Sequence, residues 1–525
     1  MSQILGKPLL SAVDGENNPV EFDVAYPIRG DLIESMAQIR ALHGTELYLL
    51  PLSGMSSGGG ILQVSKPAGG CVVGLYFEAP ANPRVRSDEI ASLERIGLDE
   101  IIIDRSRCEV CAGASITLDQ LNRALGEELG SRYRVLGADL TSYAYAAVGA
   151  TFMTGGMGPQ RRYFSDSVIE VAIYDGDAVS CISGEPLRGL AGSYGWCGLV
   201  TAVRCRYLEL PRNEIAFAMP INQTAAELAT LLSHLSPFTQ LDADQLKLTT
   251  VAGNTDLLLG IEHVTSASMG PLFDEVSDSP IVRRARRLVE KCRQAAADGL
   301  IFVNGYSDRS VDEFLYLLVD DAQAEELTIA GISLEHTEIF NDPEQMRELR
   351  EAIPYAARRL SPDTRFVLKK HTDANIRLNP DRIGESMTLL WQANCRFVSR
   401  VEQYFEDSAG LEGQILVYGH LNPYGVDPHN RITLACDDDD IFKRAQQFVI
   451  AAREDYYRAL RKICDDTGSL FVGGEKGAGS ERGIFAAFGG PEHAPAELRD
   501  KFNRQRDAIR EASILFNWRA PAPYV

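Results

Sequence analysis

The amino-acid sequence predicts an α+β protein made of more than one domain. Its 525 residues, 45% of them hydrophobic and 24% charged, are enough for two or three domains with apolar cores. In the first part of the chain, β-rich runs alternate with helical patterns and glycine-rich turns, and from about residue 212 strands alternate with amphipathic helices. We therefore expect a first domain over residues 1–211, a second over 212–455, and a helical segment over 456–525 that packs back on the first domain.

The chain is strongly acidic, with 73 acidic residues, 52 basic residues and a formal net charge of −21. Such a surface repels phosphate backbones and anionic lipids, so nucleic acids and membrane surfaces are poor partners. The N-terminus lacks the basic start and apolar run of a signal peptide, and no stretch reaches the roughly 18 apolar residues of a membrane-spanning helix. We expect a cytoplasmic protein without membrane insertion.

The ten cysteines are scattered and do not form the pattern of a disulfide scaffold. Cys108 and Cys111 make the only CxxC, but the surrounding RCEVCAGA has the pattern of a strand, in which residues three apart point to opposite faces. Packing is therefore a better interpretation of this pair than metal or redox chemistry.

Three small-residue segments in the first domain have the composition of an anion-binding backbone. They are ELYLLPLSGMSSGGG (46–60), AAVGATFMTGGMG (146–158) and GLAGSYGWCGLVT (189–201). Glycines let the main chain approach a bulky anion closely, and loop N–H groups can donate to phosphate. Between the first two segments, strand patterns lead into a helix that Thr117 and Gln120 can cap. The first segment is neither a Walker loop nor a GxGxxG turn, so a flexible loop is its alternative interpretation.

The second half contains two patterns that could carry chemistry. YGHLNPYGVDPHN (418–430) places His420 and His429 nine residues apart on what its prolines and glycine suggest is a loop, and DDTGSLFVGGEKGAGSERG (465–483) contains Glu475 and Lys476. Two imidazoles and one carboxylate can bind a zinc-like ion and leave positions open for substrate. On the loop pattern alone, two surface histidines are the better interpretation. A helix is expected from about 441 to 466, after the capping DDDD run.

The order of these motifs resembles that of the FAD-linked oxidase family, the vanillyl-alcohol oxidase and p-cresol methylhydroxylase type. The resemblance implies a two-subdomain FAD-binding domain, a ferredoxin-like α+β substrate (cap) domain, and a C-terminal helical return. It implies non-covalent FAD, since the loops contain no histidine for a covalent link. The residues it assigns to the cofactor are Ser53, Gly54, Met55, Ser56, Ser57, Asp139, Ser142, Val148, Gly149, Ala150, Gly155, Gly192, Gly195, Gly198 and Val200.

The second half resembles most the D-lactate, glycolate and D-2-hydroxyglutarate dehydrogenase branch of that family. The resemblance implies hydride transfer from a small hydroxylated, acidic substrate to flavin N5, assisted by a divalent metal such as zinc. It assigns the metal to His420, His429 and Glu475, catalysis to Lys476, Glu475 and His420, and substrate binding to Arg350, Lys370 and Tyr424. Lys369 is an alternative to Lys370, and His371 is a base or, more simply, a strand residue.

Two departures from that branch leave alternatives open. Its two loop histidines are seven apart and here are nine apart, and its Glu-His step is Glu475-Lys476 here. Lys476 could be the base, which requires a depressed pKa, or an anion-binding group. One alternative is a metal-free phenol or aryl-alcohol oxidase that uses Tyr143, Tyr145, Tyr424 and Arg482. Another is a non-redox flavin-dependent synthase or lyase. The substrate, the electron acceptor and a homo-oligomeric state stay open.

Overall fold

The computed structural model describes two regions of the chain in detail and a set of strands between them. The described residues are 9–12, 20, 22–28, 31–44, 47–52, 71–135, 137–138, 142–156, 163–193, 195, 197–209, 214–220, 239–241, 248–250, 258–265, 313–320, 338–340, 365–372, 374–422 and 425–473, with isolated positions within 280–294 and 496–503. Within these residues, no helix has the length and apolar character needed to cross a bilayer.

The chain begins with a small parallel sheet in the order β1-β3-β2. Its strands are β1 (Val24–Ile28), β2 (Leu47–Leu52) and β3 (Cys71–Phe77). Helix α1 (Leu32–His43) connects the first two strands, and the Asp31 side chain caps it by accepting from Glu34 N–H. The buried residues Met36 and Ile39 place the apolar stripe of α1 in the core.

A six-stranded sheet follows, in the order β4-β5-β6-β10-β8-β9. Its strands are β4 (Arg84–Ser87), β5 (Glu100–Asp104), β6 (Glu109–Gly113), β8 (Val168–Tyr174), β9 (Val179–Ser183) and β10 (Leu199–Arg206). Helices α2 (Leu118–Leu129), α3 (Val148–Thr154) and α4 (Glu185–Leu190) connect them, and β7 (Tyr133–Arg134) pairs with β11 (Leu208–Glu209). The expected capping box of α2 is present: Thr117 and Gln120 exchange hydrogen bonds.

The second domain is built on a nine-stranded sheet, counted over the residues that the structure describes. Its path is β17-β12-β16-β15-β20-β21-β19-β22, and β18 pairs with β21 as well. These strands are β12 (Glu214–Pro220), β15 (Leu258–Thr265), β16 (Glu313–Asp320), β17 (Glu338–Phe340), β18 (Phe366–Thr372), β19 (Asn375–Arg377), β20 (Glu412–Asn422), β21 (Gly425–Cys436) and β22 (Leu470–Gly473). A separate ladder joins β13 (Thr239–Leu241) to β14 (Leu248–Thr250).

Two long helices, α5 (Ile383–Asp407) and α6 (Asp439–Thr467), cover one face of this sheet. Phe366 of β18 stacks on Phe442 of α6 with ring centroids 5.3 Å apart. Asp438, within the acidic run, caps α6 by accepting from Ile441 N–H at 2.9 Å, as the sequence predicts. Three short 3₁₀ helices complete the described structure: Leu93–Arg95, Phe164–Ser167 and Pro380–Arg382.

The chain enters the nine-stranded sheet between Glu209, the end of β11, and Glu214, the start of β12. The second expected boundary, between residues 455 and 456, falls inside α6. The described residues up to Gly473 reach the nine-stranded sheet, because β22 pairs with β19 in it. A C-terminal helical return stays a prediction for residues after 473, since most of them lie outside the described residues.

Candidate cofactor and substrate site

The start of α3 is bound to the segment that links β6 to α2. Val148 N–H donates to Ile116 O at 2.8 Å, and Gly149 N–H donates to Ala114 O at 3.2 Å. Gly149 is required by this close contact, because a Cβ there would lie 2.7 Å from the Cβ of Ala114. The two segments therefore form one rigid unit that includes the predicted flavin-lining residues Val148 and Gly149.

The glycine-rich segment before β10 lies against both α3 and the end of β2. Gly192 N–H donates to Phe152 O of α3 at 3.1 Å. Gly195 has a φ of +75°, and a Cβ at this position would overlap the Cγ of Pro51 in β2. Residues 53–57 follow directly after β2. The three segments that the sequence assigns to the cofactor are therefore linked to one another through the end of β2, α3 and the residues around Gly195.

A β-bulge at Thr201 completes this junction. The pairing of β10 with β8 shifts register between Val200 and Ala202. Thr201 O then accepts from Ala114 N–H at 2.8 Å, while its hydroxyl donates to Ala172 O at 3.3 Å. Sequence reasoning did not assign Thr201 or Ala114, although Thr201 ends the GLVT motif. Both residues hold together the segments that carry the assigned positions.

The described candidate cofactor residues suit a large anionic group held by main-chain atoms. None is a carboxylate, and all are small or apolar: Ser142, Val148, Gly149, Ala150, Gly155, Gly192, Gly195, Gly198 and Val200. Burial raises the pKa of Cys197 in the same segment to about 12, so its thiol adds no negative charge at neutral pH. These small residues let the main chain approach a dinucleotide diphosphate closely, while the N–H groups of Val148, Gly149 and Gly192 already donate to protein carbonyls. Ser53, Gly54, Met55, Ser56, Ser57 and Asp139 lie outside the described residues.

Residues 418–430 form a β-hairpin rather than the expected loop. His420 lies in β20 and His429 in β21, with Pro423 and Tyr424 between the two strands. By register, Tyr418 lies opposite His429, and His420 lies opposite Asp427. Positions 420 and 429 are therefore diagonal neighbours on the same face of the sheet. Residues nine apart on a single strand would point to opposite faces. Here the two positions lie on two paired strands, and the register puts them on the same face.

The face that carries His429 also carries a buried arginine. His429 and Arg431 are each 3% exposed, and Thr433 is also buried. Alternation along β21 puts all three on the face opposite to α5 and α6. Sequence reasoning missed Arg431, although alternation around His429 would have identified it once 425–436 was recognised as a strand. A buried cation therefore lies two residues from a predicted metal ligand.

The two candidate lysines on β18 lie on opposite faces. Position 369 pairs with Thr433, on the His429 face, and Lys370 pairs with Ile432, on the face that the two helices cover. The register thus favours position 369 over Lys370 for a role beside His429, whereas position 371 lies opposite Arg431.

Asn430 fixes the strand between His429 and Arg431. It is fully buried, and its Nδ2 donates to Thr372 Oγ1 at 2.9 Å and to Asn394 Oδ1 at 2.7 Å. Tyr456 of α6 donates to the same Asn394 oxygen at 2.9 Å. This network ties β21 to β18 and both helices, so it sets the position of the residues on either side of Asn430.

The strand that leads to Glu475 and Lys476 runs near the hairpin. Gly473 of β22 pairs with Asn375, and Ile376 of the same strand β19 pairs with Val426 of β21. Asn379 anchors the start of β22, since its Nδ2 donates to Thr467 O at 2.9 Å. The described part of this strand thus ends at Gly473, opposite Asn375 in β19, the strand that also pairs with the hairpin.

Several predicted site residues cannot be placed by their side chains. Residues 350, 424, 475, 476 and 482 lie outside the described residues, as does the side chain at position 420. In the part of the chain that the structure describes, no group of three metal-ligating side chains is found. Of the tyrosines that an aryl-alcohol site would use, Tyr143 is buried, whereas Tyr145 is exposed close to the start of α3.

Comparison with known proteins identifies the fold. No protein-family model matches the sequence, and no curated protein matches it. Among solved structures, 6-hydroxy-D-nicotine oxidase from Arthrobacter nicotinovorans is 12% identical, with a TM-score of 0.53 and coverage of 98% of each chain. An alkyldihydroxyacetonephosphate synthase is 13% identical, with a TM-score of 0.56 and coverage of 86% of this chain and 72% of that one.

A third structure extends the same comparison. The 4-ethylphenol oxidase from Gulosibacter chungangensis, in complex with isoeugenol, is 12% identical, with a TM-score of 0.54 and coverage of 94% of this chain and 87% of that one. Identities this low identify the fold alone, and that fold agrees with the order of motifs in the sequence. The chain has the α+β fold of the FAD-linked oxidases of the vanillyl-alcohol oxidase and p-cresol methylhydroxylase type.

Proposed function

We propose that this protein is an FAD-dependent oxidoreductase that removes a hydride from a small hydroxylated substrate, most simply a 2-hydroxy acid. The observation that carries the proposal is the convergence of the end of β2, α3 and the segment around Gly195 in this fold. Two of the compared structures are named as oxidases, which supports the same class of reaction.

FAD would be held without a covalent bond by the small-residue segments 53–57, 148–155 and 192–200. When bound, it supplies a hydride acceptor at flavin N5. The chain's own contribution would be to bring the backbone of these small-residue segments close to the pyrophosphate. The rigid unit formed by Ala114, Gly149 and Thr201 provides the fixed surface that such binding requires.

Substrate binding is assigned to the His429 face of the second domain. A buried guanidinium recognises a carboxylate by paired, charge-assisted hydrogen bonds, and Arg431 is the described residue suited to that role. Arg350, Lys370 and Tyr424 stay candidates from the sequence, with position 369 favoured over Lys370 by register. The substrate hydroxyl would then lie near His429 and the end of the hairpin.

Proton removal from that hydroxyl is assigned to the turn after β22. Lys476 is the candidate base or anion binder, and Glu475 and His420 are its candidate partners. A divalent metal such as zinc, held by His420, His429 and Glu475, would lower the pKa of the bound hydroxyl. The shared face of positions 420 and 429 supports this ligand set, as does the path of β22 toward the hairpin.

The proposal is tested by reduction of the purified protein under anaerobic conditions. We expect flavin absorbance that is bleached by a 2-hydroxy acid, and a variant Arg431→Gln whose KM for that acid rises about 10- to 100-fold, as expected for the loss of a charged hydrogen bond. Arg400→Gln is the matched control, because Arg400 forms a surface pair with Asp455 at 2.7 Å. A protein that binds no FAD, or an unchanged KM in Arg431→Gln, would contradict the corresponding part of the proposal.

The metal is tested separately by elemental analysis and chelation. We expect about one divalent ion per chain for a two-His, one-carboxylate site, with loss of the ion in His429→Ala. Full activity in a protein shown to contain no metal would exclude the metal and leave the flavin assignment intact.

A phenol or aryl-alcohol substrate is the second candidate. It is favoured by the fold shared with 4-ethylphenol oxidase, whose structure holds isoeugenol, and by the altered histidine spacing. Bleaching by aryl alcohols that persists with EDTA, together with inert 2-hydroxy acids, would establish it. Bound FAD that no substrate bleaches would favour a synthase, the activity named for another structure with this fold.

A further inference from the structure

Three titratable side chains meet near the N-terminal end of β3, the central strand of the small parallel sheet. Tyr26 of β1 has its hydroxyl 2.8 Å from His43 Nε2, and His43 Nδ1 lies 3.9 Å from the Sγ of Cys71, the first residue of β3. The imidazole therefore bridges a phenol and a thiol. The three come from three different elements, so the tertiary structure alone assembles them.

The position of His43 lets its ring take the proton of the thiol. His43 is the last residue of α1, and its Nδ1 lies in contact with the Cys71 sulfur. A protonated imidazole donates from both nitrogens, from Nε2 to the Tyr26 oxygen and from Nδ1 to Cys71. An N–H directed at the sulfur stabilises the thiolate, which is the reactive form of cysteine.

The Tyr26 phenol can hold the imidazole ring of His43 without itself becoming charged. Its side chain is only 8% exposed, and burial is the main cause that raises its pKa. The phenol therefore stays neutral and accepts a hydrogen bond from Nε2. It fixes the ring so that Nδ1 points toward the thiol.

Two other charged residues lie near this cluster, and each interacts with another part of the protein. Asp23 Oδ2 accepts from Val72 N–H at 2.8 Å, and its negative charge opposes a thiolate at Cys71. Arg40, one turn before His43, donates to Gly176 O and lies 3.7 Å from Asp177. Among these described groups, the imidazole of His43 is the one in contact with the sulfur.

This cluster is separate from the proposed cofactor site. Strands β2 and β3 are parallel, and Cys71 pairs with Leu47 at their N-terminal ends. The candidate phosphate segment, residues 53–57, follows Leu52 at the C-terminal end of β2, which is the opposite end of these parallel strands. Chemistry at Cys71 can therefore be measured independently of the flavin reaction.

We propose that Cys71 is a peroxide-reactive thiol activated by His43, and thus a site of reversible oxidation. The thiolate attacks one oxygen of hydrogen peroxide, an S–O bond forms and the O–O bond breaks. The leaving hydroxide takes the proton from His43 Nδ1 and departs as water. Sulfur is oxidised to a sulfenic acid, and one peroxide is reduced.

The test compares cysteines within the intact, full-length protein at pH 7 by peptide mass spectrometry. Cys181, an exposed thiol on β9, is the internal reference. We expect iodoacetamide to modify Cys71 about tenfold faster than Cys181, the factor expected when a thiol pKa falls toward 7. Hydrogen peroxide followed by dimedone should label Cys71 in preference to Cys181.

Two variants distinguish activation from simple exposure. His43→Gln should lower the Cys71 rate about tenfold and leave the Cys181 rate unchanged, while Tyr26→Phe should lower it less. The rates of the buried thiols Cys111 and Cys205 report whether a variant is folded, because only unfolding would expose them to modification. Equal rates for Cys71 and Cys181 in the natural sequence, or an unchanged Cys71 rate in His43→Gln, would overturn the proposal.

Discussion

At the scale of single residues, Asn430 decides how β21 presents its neighbours. Its Nδ2 donates to both Thr372 and Asn394, while His429 and Arg431 lie on the opposite face of the strand. The buried amide nitrogen of Asn430 is satisfied on the helix-covered face by these two acceptors. The same residue thus contributes to stability and sets the position of the candidate substrate site.

Asn430→Ala tests this double role. The substitution leaves the buried Thr372 hydroxyl and Asn394 amide without the Nδ2 donor, so we expect the free energy of unfolding to fall by about 1–3 kcal/mol in urea titrations. Tyr456→Phe, which removes one hydrogen bond of the same network, should cost about 1 kcal/mol. A variant Asn430→Ala with unchanged stability would show that the network contributes nothing.

At the scale of elements, the segment before β10 is defined by its contact with β2. Gly195 packs against Pro51 with a positive φ, so both its backbone conformation and its lack of a side chain are needed. Gly184 has a similar φ of +70°, but a Cβ added there would meet no atom within 4 Å. Comparing the two glycines therefore separates the requirement for a positive φ from the requirement for space.

We expect Gly195→Ala to lose most of its bound flavin, measured as absorbance per polypeptide. The added methyl would push the segment away from Pro51, which lies in the strand that leads to the candidate phosphate segment. Gly184→Ala also places an alanine at a positive φ, but without a steric clash, and should keep its flavin. Equal flavin content in both variants would mean that the contact with Pro51 does not support the cofactor site.

The hairpin shows how pairing between elements overrides local sequence signals. Pro423, Gly425 and Pro428 predict a turn, because proline removes a backbone donor and usually interrupts a strand. In the structure, β20 pairs with β15 and β21 pairs with β18, so both segments are continuous strands up to the two-residue connection. Strand propensity depends on such neighbours, which a local pattern does not contain.

At the scale of the whole molecule, FAD should stabilise the fold if it binds the native chain. Protein stripped of cofactor and then given FAD at about 100 times its Kd should gain about 2.7 kcal/mol, which corresponds to a rise of about 2–3 °C in Tm for a chain of this length that unfolds as one unit. FMN, which lacks the adenylate half, should give a smaller rise. Thermal denaturation followed by circular dichroism measures both, and equal shifts would argue against an extended dinucleotide site.

The sequence by itself determined the fold class, the helix caps and the order of the small-residue segments, because each rests on local chemistry. Thr117 with Gln120 and Asp438 are examples, since a cap needs only neighbouring residues. The tertiary structure alone decided which faces and segments meet. It joined Gly195 to Pro51, placed Arg431 beside His429, and assembled Tyr26, His43 and Cys71. These contacts join residues far apart in the chain, and only the register of the sheets and the packing of their connections specify them.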